Sequence, residues 1–137
     1  MRDYASVALR LALGLTFLYA VADRFGLLGA PGAPNVSWGN FSRFTAYVET
    51  LNWYVPHLFV PALAWLETLV ETLLGIALVL GVLLRPVAFV SGLLLLSFAL
   101  SMSVASGIGA ALAASVFTAS AAAFMLAVAG SARWSIL

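Results

Sequence analysis

The segment Trp65–Pro86, WLETLVETLLGIALVLGVLLRP, joins two glutamates to a long apolar run. After Glu67 and Glu71 the chain continues for thirteen residues, to Arg85, without another charge. Together with the apolar residues before Glu67, the stretch reaches the roughly 20 residues that a helix needs to cross a bilayer. It therefore predicts a membrane span that carries two carboxylates.

The composition of the whole chain indicates the same class of protein. Of its 137 residues, 64% are hydrophobic and 8% are charged, whereas roughly a quarter of the residues in a soluble domain are charged. The net charge of +1 gives no basic footprint for nucleic acid. The absence of cysteine leaves no thiol chemistry and no cysteine metal site. We predict an integral membrane protein with no metal and no intrinsic cofactor, in which any redox role needs a partner or a bound cofactor.

Four segments are long and apolar enough to span the bilayer, at about residues 5–22, 58–84, 87–104 and 108–129. The sequence therefore predicts an all-α fold, a single-domain antiparallel four-helix bundle over residues 1–137. Arg85-Pro86 would separate the second and third spans, because proline resists a helix interior. The first segment also fits a secretory signal with an A-x-A cleavage site at residues 20–22, but we favour a true span.

The positions of the arginines predict the orientation of the chain. Arg2, Arg85 and Arg133 fall on one side of a four-span topology, and Arg24 and Arg43 fall on the other. Because cytoplasmic loops carry the excess of Lys and Arg, we expect both termini in the cytoplasm of a bacterium and the chain in its inner membrane.

The long outer loop, about residues 23–57, has two parts. GLLGAPGAPN is rich in glycine and proline and indicates turns. WGNFSRFTAYVETLNWY, residues 38–54, has apolar residues at helical spacing, which predicts a short amphipathic helix at the outer membrane surface. This helix would be an interfacial anchor or a lid over an opening between the spans.

Glu67 and Glu71 lie four residues apart and so share one face of the second span, beside Ala64, Thr68 and Gly75. Small and hydroxyl residues let helices approach closely, so we expect this face to point into the bundle. Burying one charge in the membrane costs about 2.5–3.5 kcal/mol on insertion scales, and like charges on adjacent turns repel each other. Either at least one glutamate is protonated, or a cation pairs with them.

Three residues are candidates to pair with the glutamates or to move protons to them. Arg10 points inward or reaches back to the cytoplasmic headgroups, Arg24 reaches down toward Glu67 or is occupied by Asp23, and His57 at the outer mouth is a possible relay. Two interpretations of the glutamates remain open. They hold the bundle together through Ser97, Ser101 or Thr118, or they form a proton-handling or ligand site in which Glu71 is the main residue.

Two stretches, VALRLALGLTFLYAVADRFGL (residues 7–27) and ETLLGIALVLGVLLRPVA (residues 71–88), resemble the DoxX family of small four-span bacterial membrane proteins. GAPNVSWGNF in the outer loop is similar as well. The residues that carry the resemblance are Arg10, Arg24, Glu71, Gly75, Gly81 and Arg85. It implies a four-helix membrane subunit, linked to quinone or lipid, that works with a redox partner in an oxidoreductase complex, with a quinone as its cofactor.

Two other functions stay open. The chain is similar in outline to small multidrug-resistance transporters, in which an acidic residue exchanges protons for substrate; Glu71 would take that role in a homo-oligomer. Alternatively, the chain is an accessory subunit without chemistry in a larger membrane complex, and its Ala- and Gly-rich surfaces pack against partner proteins.

Overall fold

The computed structural model describes residues 3–130, and all regular structure in that range is helical. Three helices there are long and apolar enough to cross a membrane: Asp3–Arg24, His57–Leu80 and Leu84–Ser106. The prediction of an all-helical membrane protein is confirmed at this level. The elements in chain order are α1 (Asp3–Arg24), α2 (Phe41–Leu51), a 3-10 turn (His57–Phe59), α3 (Val60–Leu80), α4 (Leu84–Ser106), α5 (Ile108–Ala113) and α6 (Val116–Ala129). Arg2 and Arg133, on which the predicted orientation depends, lie outside the described residues.

The turn between α3 and α4 lies earlier than predicted. Gly81 (φ 77°) and Leu83 (φ 47°) both adopt the left-handed conformation and reverse the chain, so α4 already begins at Leu84. Glycine suits this position because it has no Cβ to clash there. Arg85 and Pro86 fall in the first turn of α4 and do not separate the two helices. Proline is tolerated there, since its missing N–H has no partner in the first turn of a helix.

The predicted fourth span, residues 108–129, is divided into α5 and α6. The division lies at Ser115, whose φ of 60° is left-handed and whose N–H bonds the Leu112 carbonyl at 3.1 Å in a tight turn. Serine competes for local backbone hydrogen bonds and so favours turns over helix interiors. With 14 residues, α6 is shorter than the roughly 20 residues of a full span.

The helices pack as two pairs. α1 lies against α3 and α4 lies against α6, and the pairs meet through α1–α6 and α3–α4 contacts. The main core lies between them. Its buried members are Leu13, Phe17, Leu74, Leu78, Leu84, Ala88, Leu95, Ala123 and Leu126.

The crossing of α1 and α3 depends on two glycines. A Cβ added at Gly14 would lie 2.9 Å from the Gly75 carbonyl oxygen, and one added at Gly75 would lie 2.9 Å from the Leu18 side chain. Small residues let helix backbones approach this closely. This contact fixes the register of the antiparallel pair, and the end of α1 thereby reaches the Glu71 level of α3.

The predicted amphipathic helix in the long loop is present as α2. The Asn40 side chain caps it by accepting a hydrogen bond from the Arg43 N–H at 2.8 Å, as expected for an N-cap asparagine. Its apolar face, with Phe44 and Val48, packs on Val60 and Ala64 of α3, and the helix also contacts α4. The helix therefore covers the bundle, and we call residues 37–51 the lid and this end of the bundle the loop end.

Candidate functional site

A buried ion pair joins α1 to α3 beneath the lid. Arg24 Nη2 lies 2.7 Å from Glu71 Oε2, and each side chain is only 3% exposed. Arg24 Nη1 donates a second hydrogen bond to Thr68 Oγ1 at 3.2 Å, and the Thr68 hydroxyl donates to the Ala64 carbonyl. A buried charge needs such a partner because desolvation alone costs several kcal/mol. Glu71 therefore has its counter-ion inside the bundle.

Aromatic rings of the lid cover the other side of the guanidinium group. The Arg24 Cζ atom lies 3.7 Å from the Phe44 ring centroid and 5.3 Å from that of Trp38. A guanidinium over an aromatic face gains roughly 0.5–2 kcal/mol, with the larger values at desolvated sites. Arg24 Nε has no hydrogen-bond partner within the described chain. The charge of Arg24 is thus held by Glu71 on one side and by rings on the other.

Asp23, next to Arg24 in sequence, anchors the lid. Its carboxylate accepts hydrogen bonds from the N–H groups of Ser37 at 2.7 Å, Trp38 at 3.3 Å and Gly39 at 3.0 Å, and the side chain is 2% exposed. Gly39 has φ of 79°, and a Cβ there would lie 2.5 Å from the Pro31 nitrogen. The consecutive pair Asp23-Arg24 therefore fixes both the lid and the ion pair that the lid covers.

A half-open cavity of about 230 Å³ lies between the ion pair and the lid. Its walls come from α1, the lid, α3, α4 and the α5–α6 break, and they are almost entirely apolar. The lining residues are Thr16, Phe17, Ala20, Arg24, Trp38, Phe44, Tyr47, Val48, Leu51, Glu67, Glu71, Leu95, Phe98, Met102, Ala114 and Val116.

Glu67 and Tyr47 line this cavity without being part of the ion pair. Glu67 is partly buried, one turn from Glu71, and makes no hydrogen bond or ion pair within residues 3–130. Tyr47 lies in α2, where burial raises the pKa of its phenol above the ordinary value. The hydroxyl of Tyr47 therefore stays protonated and is able to donate a hydrogen bond into the cavity.

The structure brings together three of the five residues named from the sequence. Arg24, Glu67 and Glu71 line the same cavity, although Arg24 pairs with Glu71 and not with Glu67. Arg10 is 4% exposed in α1 and lies outside the cavity lining. His57 is also outside the lining; its ring Nδ1 lies 2.8 Å from Glu49 Oε1, and its side chain is 85% exposed.

One of the two open interpretations gave the glutamates hydroxyl partners that differ from the partner seen among the described residues. Ser97, Ser101 and Thr118 do not line the cavity, and none of them bonds a glutamate in the described chain. The hydroxyl that joins the network is Thr68, on the same helix as the glutamates. Asp23 and the lid aromatics were also missed as parts of the site. The sequence signal for Asp23 was an acidic residue beside an arginine at a helix end. The hydrogen-bond partners of Asp23 are backbone N–H groups, which a pattern of side chains does not reveal.

Comparison with known protein families places the chain in one of them. A family model described as methylamine utilisation protein MauE matches residues 2–113, which is 112 of 137 residues, so the chain belongs to this family. The matched part contains α1 through α5 and ends at the last residue of α5. No curated protein and no solved structure matches the chain.

This match corrects the resemblance to the DoxX family. MauE and DoxX are different families of small membrane proteins, and the arginines, the glutamate and the glycines that carried the resemblance pointed to the wrong one. Their order therefore did not separate one family from the other. The quinone expected from that resemblance loses the support that the family gave it.

Proposed function

We propose that the chain is an accessory membrane protein of a methylamine-utilisation system, and that the cavity at the Arg24–Glu71 pair is its working site. Membership of the family of the methylamine utilisation protein MauE supports the assignment to that system. The observation that carries the site is the 2.7 Å ion pair, buried on an apolar cavity. Ionisable groups inside membrane proteins are costly and mark functional sites by default.

The chemistry of the lining supports binding more than bond-making. The lining holds one arginine, two glutamates, one tyrosine and one threonine among apolar walls. Groups of three or more potential metal ligands do not occur in the part of the chain that the structure describes. Such a site is suited to hold and orient a small molecule, and a redox protein of the same system would carry out the electron transfer.

Glu71 is poorly placed for the alternative role of a proton-exchanging transport residue. Its carboxylate is fixed on Arg24 Nη2 at 2.7 Å, and removing either partner leaves a buried charge uncompensated. A residue that releases and takes up protons in each cycle would need its counter-ion to move away. The fixed pair therefore favours a binding site over a proton-coupled cycle at Glu71.

The first experiment makes the same change, Glu to Gln, at two positions and compares growth of the native host on methylamine. Glu71→Gln removes the ion pair, whereas Glu49→Gln removes an exposed carboxylate that pairs with His57 outside the cavity. We expect the Glu71→Gln strain to lose growth on methylamine but not on a richer medium, with the Glu49→Gln strain unaffected. Normal growth on methylamine with Glu71→Gln would refute the assignment of this cavity as the working site.

The second experiment addresses the accessory role. The wild-type protein is extracted gently from its native membrane, and everything that accompanies it is identified by mass spectrometry. We expect a redox protein in stoichiometric amount. Isolation of the chain only as a homodimer, from cells growing on methylamine, would contradict the accessory role.

A further inference from the structure

We propose that the cavity binds a small organic cation, an ammonium group carried on an apolar body, with the Glu67 carboxylate as its counter-charge. This inference rests on the proposed function only in taking the cavity as the working site. It adds the chemical class of the molecule that the cavity holds.

The charges around the cavity carry the inference. Three charged side chains line it within the described chain: Arg24, Glu67 and Glu71. Arg24 and Glu71 compensate each other at 2.7 Å, so the ionised site keeps one net negative charge, on Glu67. That charge lies one helical turn from Glu71, and like charges at this spacing repel. A ligand cation beside Glu67 would compensate the charge that the protein leaves uncompensated.

The walls of the cavity determine the rest of the ligand. Phe17, Phe98 and Tyr47 line it together with aliphatic side chains, which suits an apolar body. Aromatic rings at this site already pack against one cation of the protein itself, since the Arg24 guanidinium lies 3.7 Å from the Phe44 ring centroid. A volume of about 230 Å³ is below the roughly 300–1,000 Å³ of pockets for drug-sized ligands, so the ligand is small.

Other ligand classes fit the site less well. An anion drawn to Arg24 would meet the Glu71 carboxylate already paired there and would be repelled by both glutamates. A hydrated inorganic cation prefers several oxygen ligands, and this cavity offers one carboxylate that is not already paired. A neutral ligand offers Glu67 no counter-charge, so Glu67 would have to take up a proton to lie beside it in an apolar site.

The test measures binding by calorimetry to the full chain in lipid nanodiscs, with empty nanodiscs as the control for partition into lipid. Four probes of related size are compared: benzylammonium, neutral benzyl alcohol, anionic benzoate and the neutral quinone duroquinone. We expect saturable binding of benzylammonium, with benzyl alcohol weaker by about tenfold or more, a difference that corresponds to about 1.4 kcal/mol. Equal or tighter binding of benzyl alcohol, benzoate or duroquinone would overturn the assignment.

Variants of Glu67 provide the second half of the test. Glu67→Gln should weaken benzylammonium binding about tenfold or more, Glu67→Asp should restore most of it, and Glu49→Gln should leave it unchanged. Unchanged binding in Glu67→Gln would overturn the role of Glu67. If Glu67→Gln does not fold, Glu67→Asp and the probe series on the wild-type protein still decide the question.

The outcomes separate this inference from the proposed function. Failure of benzylammonium to bind, combined with loss of growth in a Glu71→Gln strain that keeps wild-type levels of the protein in its membrane, would leave the working site in place and refute the ligand class. Selective benzylammonium binding in a protein whose Glu71→Gln variant supports normal growth would support the ligand class and refute the proposed function.

Discussion

Replacing Asp23 by asparagine should loosen the segment that places Trp38 over the ion pair. Asp23 Oδ2 accepts the Ser37 N–H at 2.7 Å, and Oδ1 accepts the Gly39 N–H at 3.0 Å. Asparagine keeps one acceptor oxygen but replaces the other with an NH₂ group, which cannot accept. At least one of the charge-assisted hydrogen bonds is therefore lost from a side chain that is 2% exposed.

The size of the effect follows from that loss. A hydrogen bond to a charged group contributes about 1.5–3 kcal/mol, and each 1.4 kcal/mol is a factor of about ten in an equilibrium constant. The segment at residues 37–39 should therefore open roughly 10- to 100-fold more often in Asp23→Asn. The bundle itself should stay folded, because the core residues of α1, α3, α4 and α6 are untouched.

Hydrogen–deuterium exchange with mass spectrometry measures this opening directly. Amides of residues 37–51 should exchange faster in Asp23→Asn, while those of α4 keep their wild-type rates. Glu49→Gln is the control within the same segment, since it removes an exposed pair with His57, and pairs of this kind contribute little. Unchanged exchange at residues 37–39 in Asp23→Asn would refute the conclusion that Asp23 holds the lid.

Three further substitutions test the packing around the site, the first two by thermal unfolding in detergent and the third by amide exchange. Glu71→Gln leaves Arg24 buried without its counter-ion and should destabilise the protein by about 3–5 kcal/mol. The double change Arg24→Met/Glu71→Met should recover most of that loss. Equal unfolding temperatures for the single and the double variant would contradict this expectation. Gly75→Ala places a methyl group 2.9 Å from a leucine of α1 and should cost about 1–3 kcal/mol, while Gly109→Ala, where a Cβ meets nothing within 4 Å, should be neutral or slightly stabilising. Gly39→Ala forces a side chain into left-handed backbone 2.5 Å from a proline nitrogen, so it should loosen the lid as Asp23→Asn does, and wild-type exchange of the lid amides would argue against that strain.

The sequence alone predicted much of the fold because hydrophobic length and periodicity determine membrane helices. It predicted the apolar helices, the long loop and the amphipathic helix within it. The break at Ser115 was missed because Ala-rich sequence is compatible with one continuous helix, and a single left-handed residue has no composition signal. The early turn at Gly81 was missed because Arg85-Pro86 is a stronger breaker pattern, although proline is acceptable in the first turn of α4.

The site was only partly predictable, for a different reason. Helical spacing placed Glu67 and Glu71 on one inward face, and that part of the prediction agrees with the burial of Glu71. Which glutamate meets Arg24 depends on the register of α1 against α3, and the Gly14–Gly75 contact sets this register. One sequence does not show which glycines meet. Pairing between distant helices is a property of packing and not of either helix by itself.

We propose that the buried Arg24–Glu71 pair is a working site and more than a structural link between α1 and α3. The most direct test is growth of the native host on methylamine with the double variant Arg24→Met/Glu71→Met. Neutral, well-packed replacement of a buried ion pair is often harmless to stability, so the variant should reach wild-type levels in the membrane. We predict that it nevertheless fails to support growth on methylamine. Wild-type growth with this variant would contradict the claim and show that the pair only holds the helices together.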